Sequence, residues 1–188
     1  MVQKVAIAGN IASGKSTVEK ILKGKGYSVL DTDLVCHDLL NKLAQIATAF
    51  ADYEVFDNGQ ISREKLAKLV FNNKELKKTL EDIVFPYVRL EIENFCQKNA
   101  SEKYCFVSVP LLFEAKMEDL FDKIIFIYCD DEIRLERLMK RNSYTREEAL
   151  LRMNAQSNQE EKVEKSDIVI YNNFSIEDLE HEISRVIE

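Results

Sequence analysis

The chain has 188 residues, 46% of them hydrophobic, with 26 Lys plus Arg against 33 Asp plus Glu and a net charge of −7. That length fits one domain, or one domain with an insertion, and the composition can bury a sizeable core. The acidic balance reads against nucleic acid or an anionic membrane as partner.

Four scattered cysteines without a C-x-x-C pair, with only His37 and His181 beside them, argue against a zinc site and suit a reducing, cytoplasmic setting. The N-terminal apolar run is too short for a signal peptide, and no stretch approaches the ~18 apolar residues of a membrane span.

The first expected element is a strand, "KVAIAG" at 4–9, a continuous apolar run of the kind that a parallel sheet buries on both faces. It leads into Gly9, Asn10, Ile11, Ala12, Ser13, Gly14, Lys15 and Ser16, with Thr17 next, which satisfies G-x-x-x-x-G-K-[ST] between a strand and a helix. Backbone amides in such a loop curl round phosphate oxygens, and the helix N-terminus adds its positive end. Gly9 and Gly14 allow the tight path; Lys15 should reach the β and γ phosphates, and the Ser16 hydroxyl should bind Mg²⁺. The pattern establishes nucleoside triphosphate binding and leaves the chemistry open.

Val18, Ile21 and Leu22 form a helical stripe that Gly24 and Gly26 can end. "YSVLD" (27–31) is the second strand, and it sets Asp31 and Asp33 at its C-terminal end, on the sheet edge that carries the phosphate loop. A carboxylate there can take the proton of an acceptor hydroxyl. Asp33 could equally cap the helix that follows. Residues 32–103 then form a long, mostly helical excursion, in which Pro86 should kink or divide the last helix.

"YCFVSV" (104–109) and "KIIFIYC" (123–129) are the third and fourth strands, and Asp130 is placed to cap the next helix. In "RLERLMKR", Arg134, Arg137 and Arg141 share one helix face; Arg137 and Arg141 are candidates to neutralise a transferring phosphate, whereas Arg134 and Arg146 are expected on the surface. The polar segment 141–165 reads as a lid, "TREE" (145–148) and "SIED" (175–178) have capping-box spacing, and "DIVIYN" (167–172) is the last strand. The expected fold is α/β: a P-loop NTPase-type, doubly wound, parallel five-stranded sheet in one domain. Its helical acceptor-binding insertion spans 32–103 and its lid 141–165.

A GTP-dependent switch would carry N-K-x-D and D-x-x-G, and the nearest stretches, "NKEL" at 73–76 and "DNG" at 57–59, fail both. The pieces in order resemble the dephospho-coenzyme A kinase family. They are "GNIASGKST", "DTD", "NGQISREKLAKLVFNN", "VSVPLLFEA" (107–115), "RLMKRNSYTREEALLRMNAQ" and "KSDIVIYNN".

That resemblance implies transfer of the γ-phosphoryl of ATP to the ribose 3′-hydroxyl of dephospho-coenzyme A, with Mg²⁺. It also implies Asp33 as general base with Asp31 orienting it or holding a magnesium-bound water. Arg141 would lie by the ATP, and His37, Arg63, Arg137, Leu111, Phe113 and Glu114 on the acceptor side. Leu112 would join that border, with packing explaining much of the Leu111–Phe113 identity. A kinase of the same build acting on a nucleoside monophosphate, or on another small hydroxyl acceptor, is the alternative.

Three positions depart from the family pattern. Phe85-Pro86 stands where His-Pro is usual, His37 where many members have Arg, and the third strand runs into Pro110 without a closing Asp.

Overall fold

The computed structural model describes residues 2–187. In chain order the strands are β1 (Gln3–Ala8), β2 (Val29–Asp31), β3 (Phe56–Asp57), β4 (Gln60–Ile61), β5 (Tyr104–Ser108), β6 (Lys123–Tyr128) and β7 (Ile168–Tyr171). The helices are α1 (Lys15–Gly24), α2 (Thr32–Leu40), α3 (Ala44–Ala49), α4 (Arg63–Phe71), α5 (Lys74–Lys98), α6 (Asp131–Asn142), α7 (Arg146–Asn154), α8 (Gln159–Glu164) and α9 (Ile176–Ile187). The chain divides into two compact units, one made of the residues up to Leu30 and from Cys96 on, the other of Asp31–Phe95.

The first unit is built on a five-stranded parallel sheet in the order β2-β5-β1-β6-β7. Its inner strands are apolar at nearly every position because both faces are covered: Val5, Ala6, Ile7 and Ala8 of β1 are all buried, as are Ile124 to Ile127 of β6. Val5 and Ile7 point one way with Ile125, Ile127 and Ile170, and meet Val18 and Leu22 of α1 and Leu179, Ile183 and Ile187 of α9. Each such side chain contributes about 1.5–3 kcal/mol relative to exposure. The strand order reverses direction about β1, and the turn from β1 to α1 therefore opens at the carboxyl ends of the strands, where open α/β sheets bind ligands.

Both capping-box spacings form as expected. Thr145 and Glu148 exchange bonds at the start of α7, and Ser175 and Asp178 do so before α9. Asp130 precedes α6 but makes no side-chain cap; its amide donates to Asn173 Oδ1 at 2.9 Å. The polar segment after α6 is less loose than its composition suggests. Ala149 and Met153 of α7 pack with Leu135 and Leu138 of α6, against Ile11 and Ala12 of the phosphate loop.

In the second unit, Ile46, Phe50, Val55, Ile61, Leu66, Val84 and Val88 are buried. An antiparallel hairpin, β3–β4, turns at Asn58-Gly59 within the stretch expected to be helical. Asn41 extends that hairpin, its Oδ1 accepting from the Ile61 amide at 2.8 Å. Pro86 does not divide α5, which runs unbroken from Lys74 to Lys98. Pro86 and Asp82, whose carbonyl loses its donor to the proline ring, are both exposed, so water can take the missing amide's place.

Candidate active site

The loop from Gly9 to Gly14 is held in a shape that only certain residues allow. A Cβ on Gly9 would lie 2.6 Å from Ser13 Oγ and 2.8 Å from the Ile127 carbonyl oxygen. At Gly14, with φ 101, a Cβ would lie 2.0 Å from Asn172 Nδ2. Ala12 sits at φ 62, a left-handed conformation costing roughly 1–2 kcal/mol that tertiary contacts must hold. Lys15 opens α1 and its Nζ folds back to donate to the Gly9 carbonyl at 2.6 Å. Ser16 is exposed in the same first turn and Thr17 half-buried behind it.

What holds the loop comes from far along the chain. The Asn172 amide donates to the Ser13 carbonyl at 2.8 Å, from a buried position just after β7. Arg134 Nε donates to the Ile11 carbonyl at 3.0 Å, and Gln156 Oε1 accepts from the Ile11 amide at 2.6 Å. Arg134 corrects the surface expectation. It is only 3% exposed because its turn of α6 faces the loop, and Asp131 neutralises it at 2.8 Å. Arg146 does lie on the surface, paired with Glu132 at 3.2 Å.

Further contacts bind Asn10. Its Oδ1 accepts from Lys162 Nζ at 2.7 Å and its Nδ2 donates to the Ser157 carbonyl at 3.0 Å. Lys162 also donates to Glu114 Oε1 at 2.7 Å, and Ser157 Oγ donates to the same oxygen at 2.9 Å. Burial pushes the Glu114 carboxyl up, but the bonds from Lys162, its own backbone amide and Ser157 outweigh it and leave the group below the ordinary carboxylate range.

Of the arginines expected to meet phosphate, Arg137 is half-buried, its Nη1 donating to Cys129 Sγ at 3.4 Å and lying 3.9 Å from where a Gly14 Cβ would stand. Burial pushes the Cys129 thiol up, against the pull of Arg137 and Arg134. Arg141 is exposed near the end of α6 and donates from Nε to Asn142 Oδ1 at 2.8 Å.

In the turn after β5, Leu112 is fully buried and the Phe113 ring packs 6.4 Å from that of Phe126, while Leu111 is half-buried. Among the described residues no group of three or more His, Cys, Asp or Glu side chains could hold a metal ion by themselves.

In the second unit, Asp31 ends β2 and caps α2, with its Oδ1 accepting from the Asp33 amide at 2.9 Å. The capping role considered for Asp33 thus belongs to Asp31, and Asp33 sits exposed on the first turn. Cys36, one helical turn on, is pushed up to about 11 by burial and by the charges of Asp33 and Asp31. His37 is exposed in the last turn of α2, and Arg63 is the exposed first residue of α4.

A family model described as dephospho-CoA kinase matches residues 3–178. The chain belongs to the dephospho-CoA kinase family. A dephospho-CoA kinase from Carboxydothermus hydrogenoformans is 38% identical over 98% of this chain and 92% of its own length. A solved structure from Thermus thermophilus is 36% identical, with a TM-score of 0.86 over 99% of this chain and 96% of its own. The solved dephospho-CoA kinase from Campylobacter jejuni is 34% identical, with a TM-score of 0.75 over 100% and 96%.

Within this family member, the residues missed from sequence are those that buttress the loop: Arg134, Gln156, Lys162 and Asn172. Gln156 and Asn172 stand inside the "NAQ" and "YNN" stretches that carry the resemblance, and could have been found there. Lys162 sits in "QEEKVEK", which reads as a solvated charged face and gives no signal.

Proposed function

We propose that the chain transfers the γ-phosphoryl of ATP to the ribose 3′-hydroxyl of dephospho-coenzyme A, giving coenzyme A and ADP. The observation that carries the reading is the family match over residues 3–178, in a chain whose β1–α1 turn is a glycine-limited, buttressed phosphate loop. The amides of Gly9 to Gly14, with the N-terminus of α1, would cradle the ATP phosphates. Lys15, on leaving the Gly9 carbonyl, would reach the β and γ oxygens, and Thr17 would complete the helix end.

Mg²⁺ would enter this site as a companion of ATP, held by the Ser16 hydroxyl, exposed in the first turn of α1, and by phosphate oxygens. When bound it would offset phosphate charge. Arg137, beside Gly14, and Arg141 would supply further positive charge as the phosphoryl moves.

Asp33 is assigned as general base. As the 3′-oxygen attacks the γ-phosphorus, its proton passes to the Asp33 carboxylate and the bond to ADP breaks. Asp31, by accepting from the Asp33 amide, would fix the turn on which that carboxylate stands. His37, Arg63, Leu111 and Phe113 are proposed for the acceptor side. The insertion 32–103 and the lid 141–165 are proposed as the parts that hold acceptor and ATP, and a cytoplasmic setting is proposed with them; no described helix is long and apolar enough to cross a membrane.

Asp33→Asn tests the assignment. It is expected to bind ATP as the parent does and to lose roughly 10²-fold or more in turnover. Turnover near the parent's would remove Asp33 from the base role.

A further inference from the structure

We propose that Lys162 is a positioning residue for ATP, its buried ammonium fixing Asn10 of the phosphate loop. The inference rests on the proposed phosphate-loop function. It does not depend on the acceptor.

Lys162, Asn10, Ser157 and Glu114 form a closed ring of hydrogen bonds. Lys162 Nζ donates to Asn10 Oδ1 and to Glu114 Oε1, each at 2.7 Å. Asn10 Nδ2 donates to the Ser157 carbonyl at 3.0 Å, and Ser157 Oγ returns to Glu114 Oε1 at 2.9 Å. An ammonium can only donate, so it dictates which end of the Asn10 amide faces it. With its oxygen held, the amide nitrogen must face Ser157, and the side chain has no second orientation. Asn10 is 2% exposed, so no water can stand in for a lost partner.

The position of the ring argues for more than packing. It ties together the loop after β1, the turn after β5 and the segment between α7 and α8. The next residue, Ile11, is held through both its amide and its carbonyl, by Gln156 and Arg134. Asn10 and Ile11 are therefore pinned by side chains just before the strained Ala12. Phosphate-binding amides must point inward before ATP arrives, and a loop already fixed in that geometry loses less freedom on binding. Only Lys162 of the pair is buried, at 4% against 26% for the Glu114 side chain, and taking its ammonium out of water carries a desolvation cost, so the pair is weak evidence for added stability. Its value here is orientation.

The test uses the full chain with Glu114→Gln/Lys162→Met, which removes both charges of the pair together, alongside each single variant and Asn10→Ala. Binding of a non-hydrolysable ATP analogue with Mg²⁺ is measured by calorimetry, stability by denaturant midpoint, and KM for ATP and for acceptor by steady-state kinetics. The double variant is expected to stay folded with a lower midpoint, because the buried Asn10 oxygen loses its donor, and to bind the analogue about tenfold more weakly, the loss expected for one hydrogen bond to a charged group. In Lys162→Met alone, which leaves the acceptor-side Glu114 in place, KM for ATP should rise while KM for the acceptor stays put. Asn10→Ala added to the double variant should cost less than it costs the parent, because only the bond to Ser157 remains to be lost.

Parent-like ATP affinity in the folded double variant would overturn the proposal, as would equal losses for ATP and acceptor in Lys162→Met. If the double variant does not fold, a cycle of Lys162→Met with Asn10→Ala decides: losses of ATP affinity that overlap support the role, and losses that add in full overturn it. A parent that binds the analogue but does not turn over dephospho-coenzyme A would sink the acceptor reading and leave this one standing.

Discussion

Gly14→Ala isolates the contact that fixes the end of the phosphate loop. The new Cβ would stand 2.0 Å from Asn172 Nδ2, so the Asn172 side chain must rotate and give up its 2.8 Å bond to the Ser13 carbonyl. Losing a buried bond of that kind costs about 1–3 kcal/mol. The backbone at φ 101 adds about 1–3 kcal/mol for any residue with a Cβ. The sum is roughly 2–6 kcal/mol, or a fall in Tm of roughly 4–24 °C for a chain of this size.

The two contributions separate in a double-mutant cycle with Asn172→Ala, measured by equilibrium urea unfolding. Asn172→Ala alone should cost about 1–3 kcal/mol, but Gly14→Ala added to it should cost only the backbone share, because the clash is gone. The expected coupling is therefore about 1–3 kcal/mol. Costs that add to within about 0.5 kcal/mol would refute the reasoning, since Asn172 and Gly14 would then not be in conflict.

Two further outcomes follow from the titrating groups. The Glu114 carboxyl lies below its ordinary 4.5, so the stability it lends is fully present above that value and is lost as pH falls through the lower folded-state value. Denaturant midpoints of the parent should fall more steeply below about pH 4.5 than those of Glu114→Gln, and identical profiles would contradict the Lys162–Glu114 pairing. Cys36, raised from 9.0 to about 11, should react with iodoacetamide ~100-fold more slowly at pH 8 than an unperturbed thiol. Asp33→Asn, by removing one of the charges that raise it, should speed that reaction; no change would mean that the carboxylate does not face the thiol.

The phosphate loop was legible in the sequence because its glycines, lysine and serine answer to a local backbone path, and local geometry sets their spacing. The sheet was legible for a similar reason: strands covered on both faces leave continuous apolar runs, as in β1 and β6. What stayed hidden depends on partners distant in the chain. Arg134 and Arg146 look alike in sequence, yet one is buried against the Ile11 carbonyl and the other pairs with Glu132 in solvent. Lys162 is 152 residues from Asn10, and nothing near it signals that its charge is taken inside.

Pro86 does not divide α5, because the cost of a missing amide depends on whether water can reach the orphaned carbonyl, which sequence alone does not say. The hairpin at 56–61 was within reach, since Asn58-Gly59 is a strong turn signal, but two-residue strands carry no periodicity.

The measurement that tests the central claim most directly is ADP formation by the purified chain with Mg-ATP, comparing dephospho-coenzyme A with AMP, CMP, dTMP and no acceptor. The account predicts fast turnover with dephospho-coenzyme A alone and coenzyme A as the product. Turnover on a monophosphate, or none on any acceptor, would contradict it.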